Sequence, residues 1–221
     1  MSTLNREAIS AMRKSYGEIG LPDTALSVDP IEQFQLWMTE AASNEFIVEA
    51  NAMVLTTVGE VGPTTRTVLL KDLTPAGFSF FTNYGSRKSK AIAFNPQVTL
   101  LFPWYAMERQ VSILGKAEKA SAAESDAYFA SRPWGSQIGA WASTQSDQLT
   151  SREALEARYK EFAAKYPEGT TVPRPDYWGG FLVRPTTIEF WQGRYSRLHD
   201  RVIYERATPQ EINWSRRRLF P

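Results

Sequence analysis

The only histidine of this chain, His199, stands between Arg197 and Arg201. On an extended backbone side chains alternate with a period of two, so these three groups would project to one side. Adjacent cationic groups repel, and such a face is best tolerated where an anion or an electron-rich ligand covers it. Neighbouring positive charge also lowers an imidazole's pKa and favours its neutral form. A lone histidine is usually structural; the flanking arginines argue for a functional one.

Four other groupings have chemical potential. Arg66 and Lys71 bracket the apolar run Thr67-Val68-Leu69-Leu70. They are either solvated strand ends or two cations gripping a phosphate or a negative ring. Strict alternation puts them on opposite faces, so a shared ligand requires Lys71 to lie past the strand's end or beyond a bulge. The run Phe81-Thr82-Asn83-Tyr84-Gly85-Ser86-Arg87-Lys88 passes from a strand through a glycine turn into a helix start that carries two cations. Free N–H groups and the helix dipole favour an anion there, while unneutralised cations disfavour it. Tyr128 and Arg132 are one helical turn apart, with Ser136 beyond Pro133. Two hydroxyls and a guanidinium can bind a phosphate monoester, or form a plain surface turn. Gln110 and the segment Trp141 to Ser146, with Gln145 and Ser146, offer neutral amides and hydroxyls to a heterocycle's edge, or serve as loop caps.

The elements that must hold these groups are mostly strands. A short polar helix is expected over residues 4–16, ended by Gly17. Asp29-Pro30 opens a helix to about Ala42, with Ile31, Phe34, Trp37 and Met38 as its apolar stripe. Residues 52–58 and 64–70 read as a hairpin about Gly59-Glu60-Val61-Gly62. Further strands are expected at 78–82, 98–102, 110–118, 180–183, 187–191, 201–205 and 212–214. Helices are expected after Ser86 to Phe94, from the capping box Ser121/Glu124 to about Arg132, over Ser136–Ala142 and over Ser151–Tyr166. Strands and helices do not alternate regularly, which argues against a doubly wound parallel sheet. The expected architecture is a single α+β domain around an antiparallel barrel.

Composition narrows the chemistry. There are 25 Lys+Arg against 24 Asp+Glu, so net charge supports no nucleic-acid or membrane-surface role. With no cysteine and one histidine, disulfides, thiolate catalysis and multi-histidine metal sites within the chain are excluded. No window approaches the roughly 18 apolar residues of a membrane span, and the start has no apolar signal region, so a cytoplasmic protein is expected.

Taken in order, the segments Arg66–Lys71, Asn83–Lys88, Leu101–Trp104, Glu108–Val111, Ser131–Pro133, Ser136–Trp141, Trp178–Phe181 and Glu189–Gly193 with Arg197–Arg201 resemble the pyridoxamine 5′-phosphate oxidase family. The resemblance implies an α+β antiparallel split β-barrel with peripheral helices, assembled as a homodimer with FMN at the subunit interface. It implies FMN contacts from Arg66, Lys71, Phe81, Thr82, Arg87, Lys88, Gln110, Gln145, Ser146, Trp191 and Arg201. It implies substrate contacts from Lys71, Tyr128, Arg132, Ser136, Arg197 and His199, the last two acting in catalysis by orienting the ring. Arg13 and Tyr16 resemble a segment that covers the site in the family. Residues 1–28 would then be a helical lid segment and 29–221 one FMN-binding domain. Phe81 stands where many relatives carry tyrosine, so a contact needing that hydroxyl would be lost. The implied reaction oxidises pyridoxamine or pyridoxine 5′-phosphate with O2, giving pyridoxal 5′-phosphate and hydrogen peroxide, with ammonia from the amine. No metal takes part. The rivals are another split-barrel flavoprotein, a non-catalytic pyridoxal-phosphate binder, and a structural or interaction barrel with no cofactor.

Overall fold

The structure, a computed structural model, describes residues 6–12 and 14–221. Arg13 lies outside them. Helix α1 covers Arg6–Ala11 and stops well before the expected end at Tyr16. Helix α2, Pro30–Ala42, starts as expected: the Asp29 carboxylate accepts from the Ile31 N–H at 2.8 Å, and Pro30, lacking an N–H, occupies the first position. Its buried stripe of Ile31, Phe34, Trp37 and Ala41 lies against the sheet.

The sheet is antiparallel throughout. Its strands are β1 (Ala52–Gly59), β2 (Gly62–Leu69), β3 (Asp72–Thr74), β4 (Gly77–Asn83), β5 (Gln97–Trp104), β6 (Arg109–Lys119), β7 (Trp178–Gln192), β8 (Asp200–Glu205) and β9 (Ser215–Leu219). They run in the order β2-β1-β5-β6-β7-β4-β3, with β8 on the later half of β7 and β9 on β8. The edge strands β2 and β3 are separated only by Leu70 and Lys71, so the sheet must curl until its two edges meet end to end. Among the described residues no ladder pairs those edges. Alternation in β1 and β5 sends Met53, Leu55, Val98, Leu100 and Phe102 inward, where Phe34 meets Phe78 and Phe102 edge-on at 5.0 and 4.8 Å. Burying each such ring stabilises the fold by roughly 1.5–3 kcal/mol.

A smaller core forms beside the sheet from Phe129, Ile138, Val172 and Trp178. It joins α4 (Ala122–Ser131), α5 (Trp134–Ala142) and α6 (Arg152–Lys165) to the start of β7. The Ser121/Glu124 capping box that opens α4 is fully formed.

Three expectations are corrected. The strands expected at 180–183 and 187–191 are one strand, β7. It passes Pro185 in the gap between the β4 ladder, which ends at Val183, and the β8 ladder, which starts at Thr187, so no ladder needs the missing N–H; beside it the register against β6 slips at Leu114/Gly115. Gly115 is required there, since a Cβ would overlap the Arg184 carbonyl oxygen. The last strand is Ser215–Leu219, not 212–214. Its arginines are held by β8 and the N-terminal segment: Arg217 pairs with Glu205 at 2.8 Å, and Arg218 bonds Asp23, Asp200 and the Leu21 carbonyl. The tract from Arg197 to Arg201 is not extended. Tyr195–Arg197 forms a 3-10 turn, with Ser196 at φ 56° and Arg197 at φ 64°. The alternation argument for Arg197, His199 and Arg201 therefore fails, and only Arg201 lies in a strand.

Candidate functional site

One cavity, of about 490 Å³, opens where the end of β2, the strand β4 and helices α4 and α5 converge. Its floor is a stack of rings. Phe81 lies parallel to Tyr128 at 4.0 Å and to Trp178 at 5.7 Å. Its opposite wall is kept open by Ser136, Gly139, Ala140 and Ser143, small residues at helical spacing along and just beyond α5. Lys71 reaches the cavity because β2 has ended at Leu69, as a shared ligand required.

Its cations lack carboxylate partners among the described residues. Lys88 is buried at the start of α3 (Arg87–Phe94), where its Nζ donates to Gln145 Oε1 at 2.7 Å, Thr82 Oγ1 at 3.0 Å and Ser86 Oγ at 3.2 Å. Burial, then the Arg66 charge, lower its pKa from 10.5 to about 8. Ser86 caps α3 by position only; its hydroxyl is committed to Lys88 and Ser89, while Ser146 Oγ accepts from the Arg87 N–H at 3.2 Å. Arg66 bonds the Leu55 carbonyl and the hydroxyls of Thr57 and Thr64, and burial followed by Arg87 lowers its pKa. Arg66, Arg87 and Ser146 line a recess that shares Thr67, Lys88 and Gln145 with the cavity. Arg132 lies 4.7 Å from the Trp178 ring, and its Nη1 is buried with no hydrogen-bond partner. Burial lowers the Arg132 pKa and raises that of Tyr128. Uncompensated cations and an orphaned donor along an aromatic floor suit a planar, anionic ligand. The chemistry of these residues fits a flavin-type cofactor.

The remaining predicted residues lie elsewhere on the chain. Gln110, Trp191 and Tyr16 line a recess that shares no residue with the cavity. His199 lies against Trp191 at 4.6 Å, and Tyr16 meets both rings edge-on, at 5.4 Å to His199 and 5.8 Å to Trp191. His199 Nδ1 accepts the Arg194 N–H at 3.0 Å. The neutral ring therefore carries its proton on Nε2. Burial, then Arg197, lower its pKa. Exposed Arg197 makes no hydrogen bond or ion pair among the described residues, and two successive left-handed residues hold it at the turn. Such backbone costs of order 1–3 kcal/mol per residue and clusters at functional sites. Arg201 is engaged by Glu189 at 2.7 Å and by the Phe220 carbonyl. Sequence reasoning quoted Asn83 and Trp178 within its motifs without assigning either to the site, and of the small-residue stripe on α5 it assigned only Ser136, although the stripe's helical spacing was readable.

Known proteins resemble this chain over nearly its whole length. Residues 39–166 match the family described as pyridoxamine 5′-phosphate oxidase, and residues 178–221 match the pyridoxine 5′-phosphate oxidase C-terminal dimerisation region. The pyridoxine/pyridoxamine 5′-phosphate oxidase of Rubrobacter xylanophilus is 51% identical over 217 residues, covering 98% of each chain. That of Thermosynechococcus vestitus is 52% identical over 214 residues, covering 96% of this chain and 99% of its own. Among solved structures, PhzG from Burkholderia lata, in complex with tetrahydrophenazine-1-carboxylic acid, superposes with a TM-score of 0.84 at 28% identity, covering 93% of this chain and 99% of its own.

Proposed function

This chain belongs to the pyridoxamine 5′-phosphate oxidase family, and we propose on that premise that it is an FMN-dependent oxidase of pyridoxamine and pyridoxine 5′-phosphates. The observation that carries the reading is the cavity in which Lys88 and Arg132, neither with a carboxylate partner, flank one aromatic floor. That arrangement suits two phosphates on two planar ligands.

In this reading Arg66, Arg87, Lys88, Gln145 and Ser146 hold the FMN phosphate, and Phe81 and Thr82 border its ring. Lys71 touches both ligands, and Tyr128, Arg132 and Ser136 hold the substrate phosphate, with the orphaned Arg132 Nη1 donating to it. Bound FMN supplies a hydride acceptor for the substrate's C4′ carbon, and O2 then takes up the electrons as hydrogen peroxide. Gln110, Trp191, Arg201, Arg197 and His199 belong to the same site but line a different part of this chain. A second copy, docked through residues 178–221, would bring them to the cavity, so the reading includes a homodimer with FMN at the interface. The curled sheet is then a split barrel.

Arg197 remains protonated and so orients rather than accepts a proton. His199 presents Nε2–H while Nδ1 stays occupied by the Arg194 N–H, which favours hydrogen-bond donation to the substrate over base catalysis. Tyr16 covers the Trp191–His199 pair, and residues 1–28 act as a lid segment.

The test is to incubate purified protein with FMN, remove free flavin, and add pyridoxamine or pyridoxine 5′-phosphate under oxygen. Retained flavin absorbance and peroxide stoichiometric with pyridoxal 5′-phosphate are expected. Colourless protein, or flavin that turns over neither ester, would overturn the reading.

A further inference from the structure

We infer that Glu108 is a positioning residue: its carboxylate clasps the Tyr16 segment against the Trp191–His199 pair. Glu108 ends a 3-10 turn (Tyr105–Met107) between β5 and β6, with a left-handed backbone at φ 55°. That conformation aims the residue in two directions. Its carbonyl accepts the Gly193 N–H at 2.7 Å and Gln192 Nε2 at 3.3 Å, which ties the turn to the end of β7. Its carboxylate Oε2 accepts the Gly17 N–H at 2.8 Å. The Gly17 carbonyl in turn accepts the Tyr195 N–H at 3.2 Å, in the turn that carries Arg197. One residue thus joins the β5–β6 turn, the end of β7 and the segment that bears Tyr16.

The packing at this junction has no slack. A Cβ at Gly193 would sit 3.1 Å from Glu108 Cβ, from the Trp191 ring and from the Tyr16 ring. Tyr16 itself makes only edge contacts with Trp191 and His199. Each edge-on ring contact is worth only about 0.5–1.5 kcal/mol, so the charge-assisted Gly17 bond contributes at least as much to fixing where the tyrosine stands. Farther along, Asp200 accepts the Leu21 N–H at 2.9 Å, four residues beyond Gly17, so at Gly17 itself the segment is held by the Glu108 carboxylate and the Tyr195 N–H. Glu108 is therefore the side chain that sets the lid at the tyrosine.

The inference rests on the reading that Tyr16 covers the substrate site. The test uses FMN-loaded full-length protein with Glu108→Gly, Glu108→Gln and Tyr16→Ala. Glycine removes the carboxylate and suits the left-handed backbone, so it isolates the clasp from backbone strain. Glu108→Gly is expected to raise KM for pyridoxamine 5′-phosphate roughly tenfold, as the loss of one charge-assisted hydrogen bond would, with a much smaller change in kcat. It is also expected to speed amide exchange across residues 14–20. Glu108→Gln keeps an acceptor oxygen and is expected to restore most of both effects. In a Tyr16→Ala background the Glu108→Gly effect on KM is expected to vanish. If Tyr16→Ala raises KM while Glu108→Gly changes neither KM nor exchange, the clasp is refuted and the covering role of Tyr16 stands. If Tyr16→Ala leaves KM unchanged, the covering role itself falls.

Discussion

Replacing Lys88 by methionine separates what the fold wants from what the ligand wants. The ammonium is buried, bonds only neutral oxygens, and has its pKa lowered from 10.5 to about 8. A drop of that size corresponds to about 3 kcal/mol against the charged form. Solvent reaching the group through the open cavity reduces the usable figure to about 1–2 kcal/mol. The sign follows from proton counting. Between about 8 and 10.5 the unfolded chain holds the extra proton, so the penalty is fully present below about 8 and is relieved as pH rises towards 10.5. Ligand-free Lys88→Met is therefore expected to be more stable than the parent at pH 7 by about 1 kcal/mol, a rise of about 2–4 °C in Tm. Its affinity for FMN moves the opposite way, weakening roughly 10–150-fold with the loss of a charge-assisted phosphate contact. In the parent a bound phosphate restores the charge, so FMN affinity should fall roughly ten- to thirtyfold between pH 7 and 9.5. Fluorescence titration of FMN across that range, alongside scanning calorimetry of the apoprotein, measures both. A pH-independent dissociation constant in the parent, or the same pH slope in Lys88→Met, would refute the argument.

Arg132→Met keeps the packing on Trp178 but removes the guanidinium; KM for either phosphate ester should rise roughly 10–150-fold, with FMN affinity little changed, in steady-state kinetics and flavin titration. Because Arg132 Nη1 has no partner, the same variant should melt no lower than the parent apoprotein. The single histidine gives an unambiguous nitrogen-15 spectrum: His199 should be neutral at pH 7 with its proton on Nε2 and should titrate below 6.5. Its lowered pKa means that its contribution to stability is present above about 6.5 and lost as pH falls through the folded value; a proton on Nδ1 at pH 7 would contradict the assignment. Gly115→Ala must displace the Arg184 carbonyl at the β6–β7 slip, and thermal unfolding should show a loss of about 2–3 kcal/mol.

Local patterns carried much of the fold. The Asp29-Pro30 start, the Ser121/Glu124 box and the hairpin at Glu60-Val61 are each decided within a few residues, and each forms as read. So does the Tyr128, Arg132, Ser136 face, because one helical turn and a proline break fix it. Long-range pairing was not legible. Lys88 meets Gln145 across 57 residues of chain, and the β9 arginines find Asp23 and Glu205 only in the folded sheet. The left-handed pair Ser196-Arg197 contains no glycine to announce it, so the extended reading of that tract had nothing local against it. Residues 180–183 and 187–191 likewise read as separate strands, and only the change of neighbour from β4 to β8 between them shows why the strand continues.

The length of β7 bears on which chain owns the site. Trp178 at its start lines the cavity, and Trp191 near its end lines the other recess, thirteen steps or roughly 43 Å along the strand. On the proposed reading each catalytic centre of a dimer draws one end of β7 from each subunit. Lesions at opposite ends are then complementary. A mixed dimer of a Lys88 variant and a His199 variant concentrates both defects in one centre and leaves the other intact, so two impaired preparations should gain activity, at limiting FMN, when their subunits are exchanged.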